Sequence, residues 1–213
     1  MRTTARSTVL AALSWWGTGV LLGASALLLR EPSTAVYRAV AHAGLDWPEL
    51  LADVLILGLT AWFGAGMWQA LRSDPTRAAT GLAAGAGVLV AYGSSETVKL
   101  LLAHDRPCRS VLPDPQCPGV GNWSFPSNHA TIAFAVATAV VLLVARWWAW
   151  TGFLLALVAG SSRVVDGVHF PHDVLAGAAL GVGTTVACAL VLTRWALPLA
   201  ERLGRAPHPS SPG

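Results

Sequence analysis

The sequence predicts an all-α integral membrane protein, a single bundle of six transmembrane helices. Three observations lead there. The 213 residues are 54% hydrophobic and only 12% charged, against roughly a quarter charged in an ordinary soluble domain. Uncharged runs of membrane length recur at 7–29, 54–71, 78–95 and 175–193, with shorter ones at 131–145 and 147–162. About 20 apolar residues cross a bilayer as helix. The most chemically loaded polar residues collect at the ends of the last four runs, on what the charge pattern makes the extracytoplasmic side.

Each element follows from local residues. The first span covers 7–29 and stops at Arg30-Glu31-Pro32. Arg2 and Arg6 before it imitate a secretory leader, but the apolar core exceeds the ~7–15 residues of such leaders, so a retained helix is expected. Residues 30–49 carry Tyr37, Arg38, His42, Asp46 and Trp47 and read as an interfacial loop with one short amphipathic turn. The second span runs from about 50 to 71, the polar turn 72–77 follows, and the third span occupies 78–103. Pro107, Pro113, Pro115, Pro118 and Pro126 exclude a continuous helix from 104 to 128. The fourth span covers 127–145, and Arg146 with Trp147, Trp148 and Trp150 forms a turn in an aromatic belt. The fifth span reaches 162 and the sixth runs from 172 to 197. Residues 1–200 make one membrane domain, and 201–213 a disordered cytoplasmic tail.

Basic residues set the orientation. Arg2, Arg6, Arg72, Arg77, Arg146, Arg194, Arg202 and Arg205 fall on one side, and the other six basic residues on the opposite side. Positive-inside counting makes both termini cytoplasmic and turns 30–49, 104–128 and 163–172 outward. The net charge of +3 comes from thirteen Arg and Lys99 and carries no nucleic-acid signal. The Arg-, Ala- and Gly-rich composition points to a GC-rich bacterial genome, and so to a bacterial cell membrane. Cys188 lies inside the last span as a small apolar residue. Cys108 and Cys117 share one loop; a zinc site needs more ligands nearby, so an outward-facing disulfide is favoured.

Three polar groups meet at the outward ends of spans three to six. They are Lys99 with Arg106-Pro107, then Pro126-Ser127-Asn128-His129, then Ser162-Arg163 with His169 and Asp173. Each has a plain alternative: Lys99 snorkelling, Arg106 and Arg163 anchoring to headgroups, His129 merely opening a helix. Their shared side argues for one site. Lys99, Arg106 and Arg163 supply cations, the last as a planar fork matched to phosphate oxygens. Ser127 and the amides opening the fourth span add donors. Asp173 follows His169 by four residues and can orient its imidazole. Cations for the equatorial oxygens, a nucleophile and an acid are what phosphoryl transfer requires.

Lys99 with Arg106-Pro107 (six residues intervening), Pro126-Ser127-x-His129, and Ser162-Arg163 with His169 and Asp173 occur in that order. This resembles the three-part signature of the type 2 phosphatidic acid phosphatase superfamily. The resemblance covers residues 95–175 directly, and the six spans agree with its membrane branch. It implies His169 as a nucleophile forming a phosphohistidine, Asp173 orienting it, and His129 protonating the leaving oxygen and then activating water. It also implies Lys99, Arg106, Ser127 and Arg163 as phosphate ligands, with no metal or other cofactor. Asn128 stands where the signature has Gly, so its amide is expected to reach phosphate while its side chain's role is open. Glu96, one turn before Lys99, is an accessory candidate.

The expected activity is metal-independent hydrolysis of a lipid phosphate drawn from the outer leaflet, with undecaprenyl diphosphate as first choice. Phosphatidic acid, phosphatidylglycerol phosphate and a prenyl-phosphoryl sugar phosphate are the alternatives, because the motifs read phosphate and not the tail. A vanadate-dependent haloperoxidase is disfavoured by the six spans, and a non-catalytic transporter or lipid-binding protein by the filled catalytic positions. Oligomeric state has no sequence signal.

Overall fold

In the computed structural model, residues 2–45 and 47–204 are described, with side chains from Arg6 onward. The Arg2 side chain, Asp46, Arg205 and the rest of the tail at 205–213 lie outside the described residues. The protein is all helical, with no strand among the described residues. The elements are α1 (Arg2–Ser25), α2 (Arg30–His42), α3 (Leu51–Ser73), α4 (Pro75–Leu102), α5 (Pro107–Ser110), α6 (Asn128–Val144), α7 (Thr151–Val165) and α8 (Pro171–Gly204). Tight 3₁₀ turns at Ala26–Leu29 and Trp147–Trp150 precede α2 and α7.

Among the described residues, five stretches are long and apolar enough to cross a membrane: Arg6–His42, Leu51–Ser73, Pro75–Ser110, Trp147–Val165 and Pro171–Gly204. The remaining apolar helix, α6, has 17 residues, about 25 Å at 1.5 Å per residue. That falls short of the ~30 Å hydrocarbon core. Immediately before α6, Ser124, Phe125, Pro126 and Ser127 are non-helical and all buried. Irregular backbone at such depth is tolerated when protein surrounds it.

The helix at the centre is α8, which packs most extensively on α4, α1 and α6. Small residues make this possible: Ala176, Gly177, Gly181 and Gly183 on α8 and Ala83, Ala84, Gly87 and Ala91 on α4 are buried. Close backbone approach replaces the hydrophobic effect as the source of packing energy in lipid. Large apolar side chains point outward instead, among them Leu21, Leu57, Leu100, Leu101 and Leu175.

Three expectations about elements change. Residues 30–42 are a helix and not a loop. Pro32 falls in the first turn, where its missing N–H costs nothing, so it does not stop the chain. Residues 107–110, expected to be irregular, form a single helical turn started by Pro107. The last helix passes Pro198 and continues to Gly204, held by Ala200 against Ala70, Ala78 and Leu143. Elsewhere the local signals act as read. Asp74 caps α4 by accepting from the amides of Thr76 (3.0 Å) and Arg77 (3.1 Å), with Pro75 at the first position.

Candidate active site

Pro171 opens α8 and places Asp173 in its first turn, where the helix dipole favours a carboxylate. Asp173 is fully buried. Its Oδ2 accepts from the Phe170 amide (2.8 Å) and the Ser124 hydroxyl, and lies 3.4 Å from His169 Nδ1. The other imidazole nitrogen, His169 Nε2, faces Arg106 Nη1 at 3.3 Å. Asp173 accepts a hydrogen bond from the Nδ1–H, leaving the Nε2 lone pair on the side of the cation. Burial pushes the His169 imidazole down to about 4, with the Asp173 carboxylate pulling the other way.

The segment 122–124 organises the cations. Arg106 donates through Nε to the Asn122 carbonyl (2.9 Å), through Nη2 to Asn122 Oδ1 (2.7 Å), and through Nη1 to the Val168 carbonyl (2.9 Å). Lys99 Nζ donates to the Trp123 carbonyl at 2.8 Å. Both cations are buried, and both charges act on His169. Ser127, the N-cap of α6, donates its amide to the Asp173 carbonyl at 3.0 Å, which ties the starts of α6 and α8 together. Asn128 is anchored to α4, accepting from Ser95 Oγ (2.7 Å) and donating to Glu96. Glu96 therefore bonds Asn128, while its charge acts on Lys99.

His129 and Arg163 stand at the mouth of the site, each against a carboxylate. His129 Nε2 is 3.1 Å from Asp53 Oδ1, and Arg163 Nη1 is 2.8 Å from Asp166 Oδ2. Burial raises the Asp166 carboxyl above its ordinary range despite Arg163 beside it. Arg163 Nε is buried with no hydrogen-bond partner among the described residues. A cavity of about 500 Å³ opens here, lined by Asp53, Arg163, Asp166, Val168 and the Cys108–Cys117 disulfide. His169 follows the lining residue Val168 in the chain, and Arg106 bonds both the Val168 carbonyl and His169 Nε2.

The fold thus gathers Lys99, Arg106, Ser127, His169 and Asp173, with Asn128 and Glu96 behind them, and sets His129 and Arg163 at the entrance. Sequence reading missed Ser124, the Asn122 and Trp123 carbonyls, and Asp53. Asp53 had a signal, as a carboxylate just inside an apolar run. Ser124 had none, since a serine in an irregular loop is ordinary. It also missed His104 and His172, which lie on the far side of Asp173.

A family model described as the PAP2 superfamily matches residues 80–196. A decaprenylphosphoryl-5-phosphoribose phosphatase of Mycobacterium tuberculosis is 34% identical over 157 residues, covering 69% of this chain and 83% of that one. An undecaprenyl-diphosphatase of Sulfolobus acidocaldarius is 35% identical over 94 residues, 44% of this chain and 46% of that one. A lipid A 1-phosphatase of Rhizobium johnstonii is 38% identical over 92 residues, 38% and 37% of the two chains. Among solved structures, a transmembrane PAP2 type phosphatidylglycerolphosphate phosphatase from Bacillus subtilis aligns with a TM-score of 0.47 and 22% identity, covering 82% of this chain and 92% of that one.

Proposed function

The chain belongs to the PAP2 superfamily, and from that premise we propose that it removes the terminal phosphate from a polyprenyl-linked lipid through a phosphohistidine at His169. Membership, the long apolar helices and relatives named as lipid phosphatases together make it a membrane lipid phosphatase. The proposal rests on one observation: His169 carries a carboxylate on Nδ1 and a cation on Nε2. That is the polarity a phosphoryl acceptor needs.

In the first step His169 Nε2 attacks phosphorus, and Arg106 exchanges its bond to Nε2 for a phosphoryl oxygen. Lys99, Arg163, the Ser127 hydroxyl and the Asn128 amide hold the remaining oxygens. The bond to the lipid oxygen breaks, and that oxygen takes a proton from His129, whose protonated form Asp53 stabilises. In the second step neutral His129 takes a proton from water, the hydroxide attacks phosphorus, and the N–P bond breaks. Asp173 keeps the Nδ1 proton in place throughout. No step is assigned to a metal.

Six spans are proposed, with α6 as the short one, both termini cytoplasmic and the site outward. In support, the site residues share one end of α4, α6, α7 and α8, while Arg77 and Arg146 lie at the other. Residues 1–200 form the single catalytic domain, in a bacterial cell membrane. An apolar cavity of about 270 Å³, lined by Leu27, Val98, Phe125 and Leu180, lies beside the 124–127 segment and would receive the lipid chain.

Among polyprenyl substrates, a prenyl-phosphoryl sugar phosphate stands ahead of undecaprenyl diphosphate. The relative named for the former aligns over 83% of its length, that for the latter over 46%. Phosphate release by detergent-purified protein from decaprenylphosphoryl-5-phosphoribose, undecaprenyl diphosphate and phosphatidic acid tests this. Turnover of the first should dominate, persist in EDTA and stop with vanadate. Loss in EDTA with rescue by magnesium would end the mechanism; preference for phosphatidic acid would end the substrate assignment.

A further inference from the structure

We propose that the chain carries a second site behind Asp173, where His104 Nδ1, His172 Nε2 and Asp173 Oδ1 hold one divalent transition ion of the zinc class, and that filling it lowers turnover. Among the described residues six buried side-chain atoms have no hydrogen-bond partner, and these three are half of them. Two of the three face each other, His172 Nε2 and Asp173 Oδ1 lying 3.3 Å apart, with His104 Nδ1 as the third, and one cation between them would engage all three lone pairs. One ligand atom from each residue lies within 4.8 Å of the others.

The geometry suits an ion. Ligands at about 2.0–2.2 Å from a tetrahedral centre are separated by about 3.4 Å, and His172 Nε2 lies 3.3 Å from Asp173 Oδ1. His104 would need to approach by at most about 1.4 Å to complete the triangle. The surrounding bonds leave the right lone pairs free. His172 Nδ1 is 2.9 Å from Ser33 Oγ, which also accepts from the His172 amide; the tautomer protonated on Nδ1 donates to Ser33 and leaves Nε2 open to the ion. Asp173 commits Oδ2 to Ser124 and Phe170 and leaves Oδ1 open. A separate cavity of about 440 Å³, lined by Glu31, His104, Asp105 and His172, gives an approach and room for water as fourth ligand. Arg30 also lines it and opposes a cation; Glu31 and Asp105 outnumber it.

Asp173 would then serve two masters, the ion through Oδ1 and His169 through Oδ2. An ion on Oδ1 withdraws charge from the carboxylate that polarises His169, which makes it an inhibitor. This half rests on the proposed role of His169; the site itself does not.

Cobalt is the probe. Full-length protein in detergent, stripped with EDTA, should take up one Co²⁺ per chain with visible absorption bands that Zn²⁺ displaces. His104→Ala should lose the bands, keep zinc-free turnover within about twofold, and escape zinc inhibition. Ser33→Ala, which leaves all three ligands, should weaken cobalt binding about 10–100-fold. Absent bands, as with an ordered water in the site, or bands unchanged in both variants overturn the site. Bands with turnover indifferent to zinc keep the site and overturn the inhibition. Bands without any phosphatase turnover would instead count against the reading of His169.

Discussion

His169 is a buried base between unlike neighbours, and its protonation is set by where it sits. Its value falls from 6.5 to about 4 because burial disfavours the imidazolium. The unfolded chain therefore binds a proton near 6.5 that the folded chain refuses until about 4. The neutral imidazole's contribution to stability is complete above 6.5 and is lost as the pH falls through 4. The melting temperature in detergent should drop between those limits more steeply than in His169→Gln; parallel curves would contradict the assignment. Ser124 makes a second residue-scale test. Its hydroxyl bonds an ionised carboxylate, a bond worth about 1.5–3 kcal/mol. Ser124→Ala should lower kcat about 10–100-fold with KM unchanged, and a KM effect instead would place Ser124 on the substrate.

At the scale of elements, the site depends on how closely α8 approaches α6. A Cβ on Gly177 would lie 2.5 Å from the Ser127 carbonyl and 3.1 Å from Ala130 Cβ. Gly177→Ala should cost about 1–3 kcal/mol of stability and reduce activity, because it pushes Ser127 off Asp173. Gly17→Ala, with nothing within 4 Å, is the control and should be neutral or slightly stabilising; equal losses would refute the argument. The Cys108–Cys117 disulfide closes a loop with a sequence separation of 9 and lines the cavity mouth. A 15-residue ring is worth about 3 kcal/mol, and this smaller one somewhat less. Reductant should weaken substrate affinity while the melting temperature moves little. Free thiols at both positions in unreduced peptides would defeat that expectation.

For the whole molecule, orientation in the bilayer decides which leaflet supplies substrate. Single cysteines introduced at Leu45 and Ser73, in a Cys188→Ala background, report it. A membrane-impermeant maleimide should label the first in intact cells and the second only after permeabilisation; the reverse pattern would turn the site inward.

The residues alone were enough for the all-helical membrane class and for the choice of candidate site residues. Length and charge-free composition decide whether a segment prefers lipid, and the polar residues that survive there are too expensive to be incidental. Lys99, Arg106, Ser127, His169 and Asp173 stood out for that reason, and the fold brings them together. Only tertiary structure decided their partners. Ser124 reaches Asp173, and His129 reaches Asp53, across 49 and 76 residues. Pairings at that distance depend on how α3, α6 and α8 pack, which no local pattern records. The helix at Arg30–His42 was hidden because Pro32 reads as a stop until its place in the first turn is known. The three open ligand atoms of His104, His172 and Asp173 were hidden for the same physical reason: an unsatisfied lone pair belongs to a packed interior, not to a residue type.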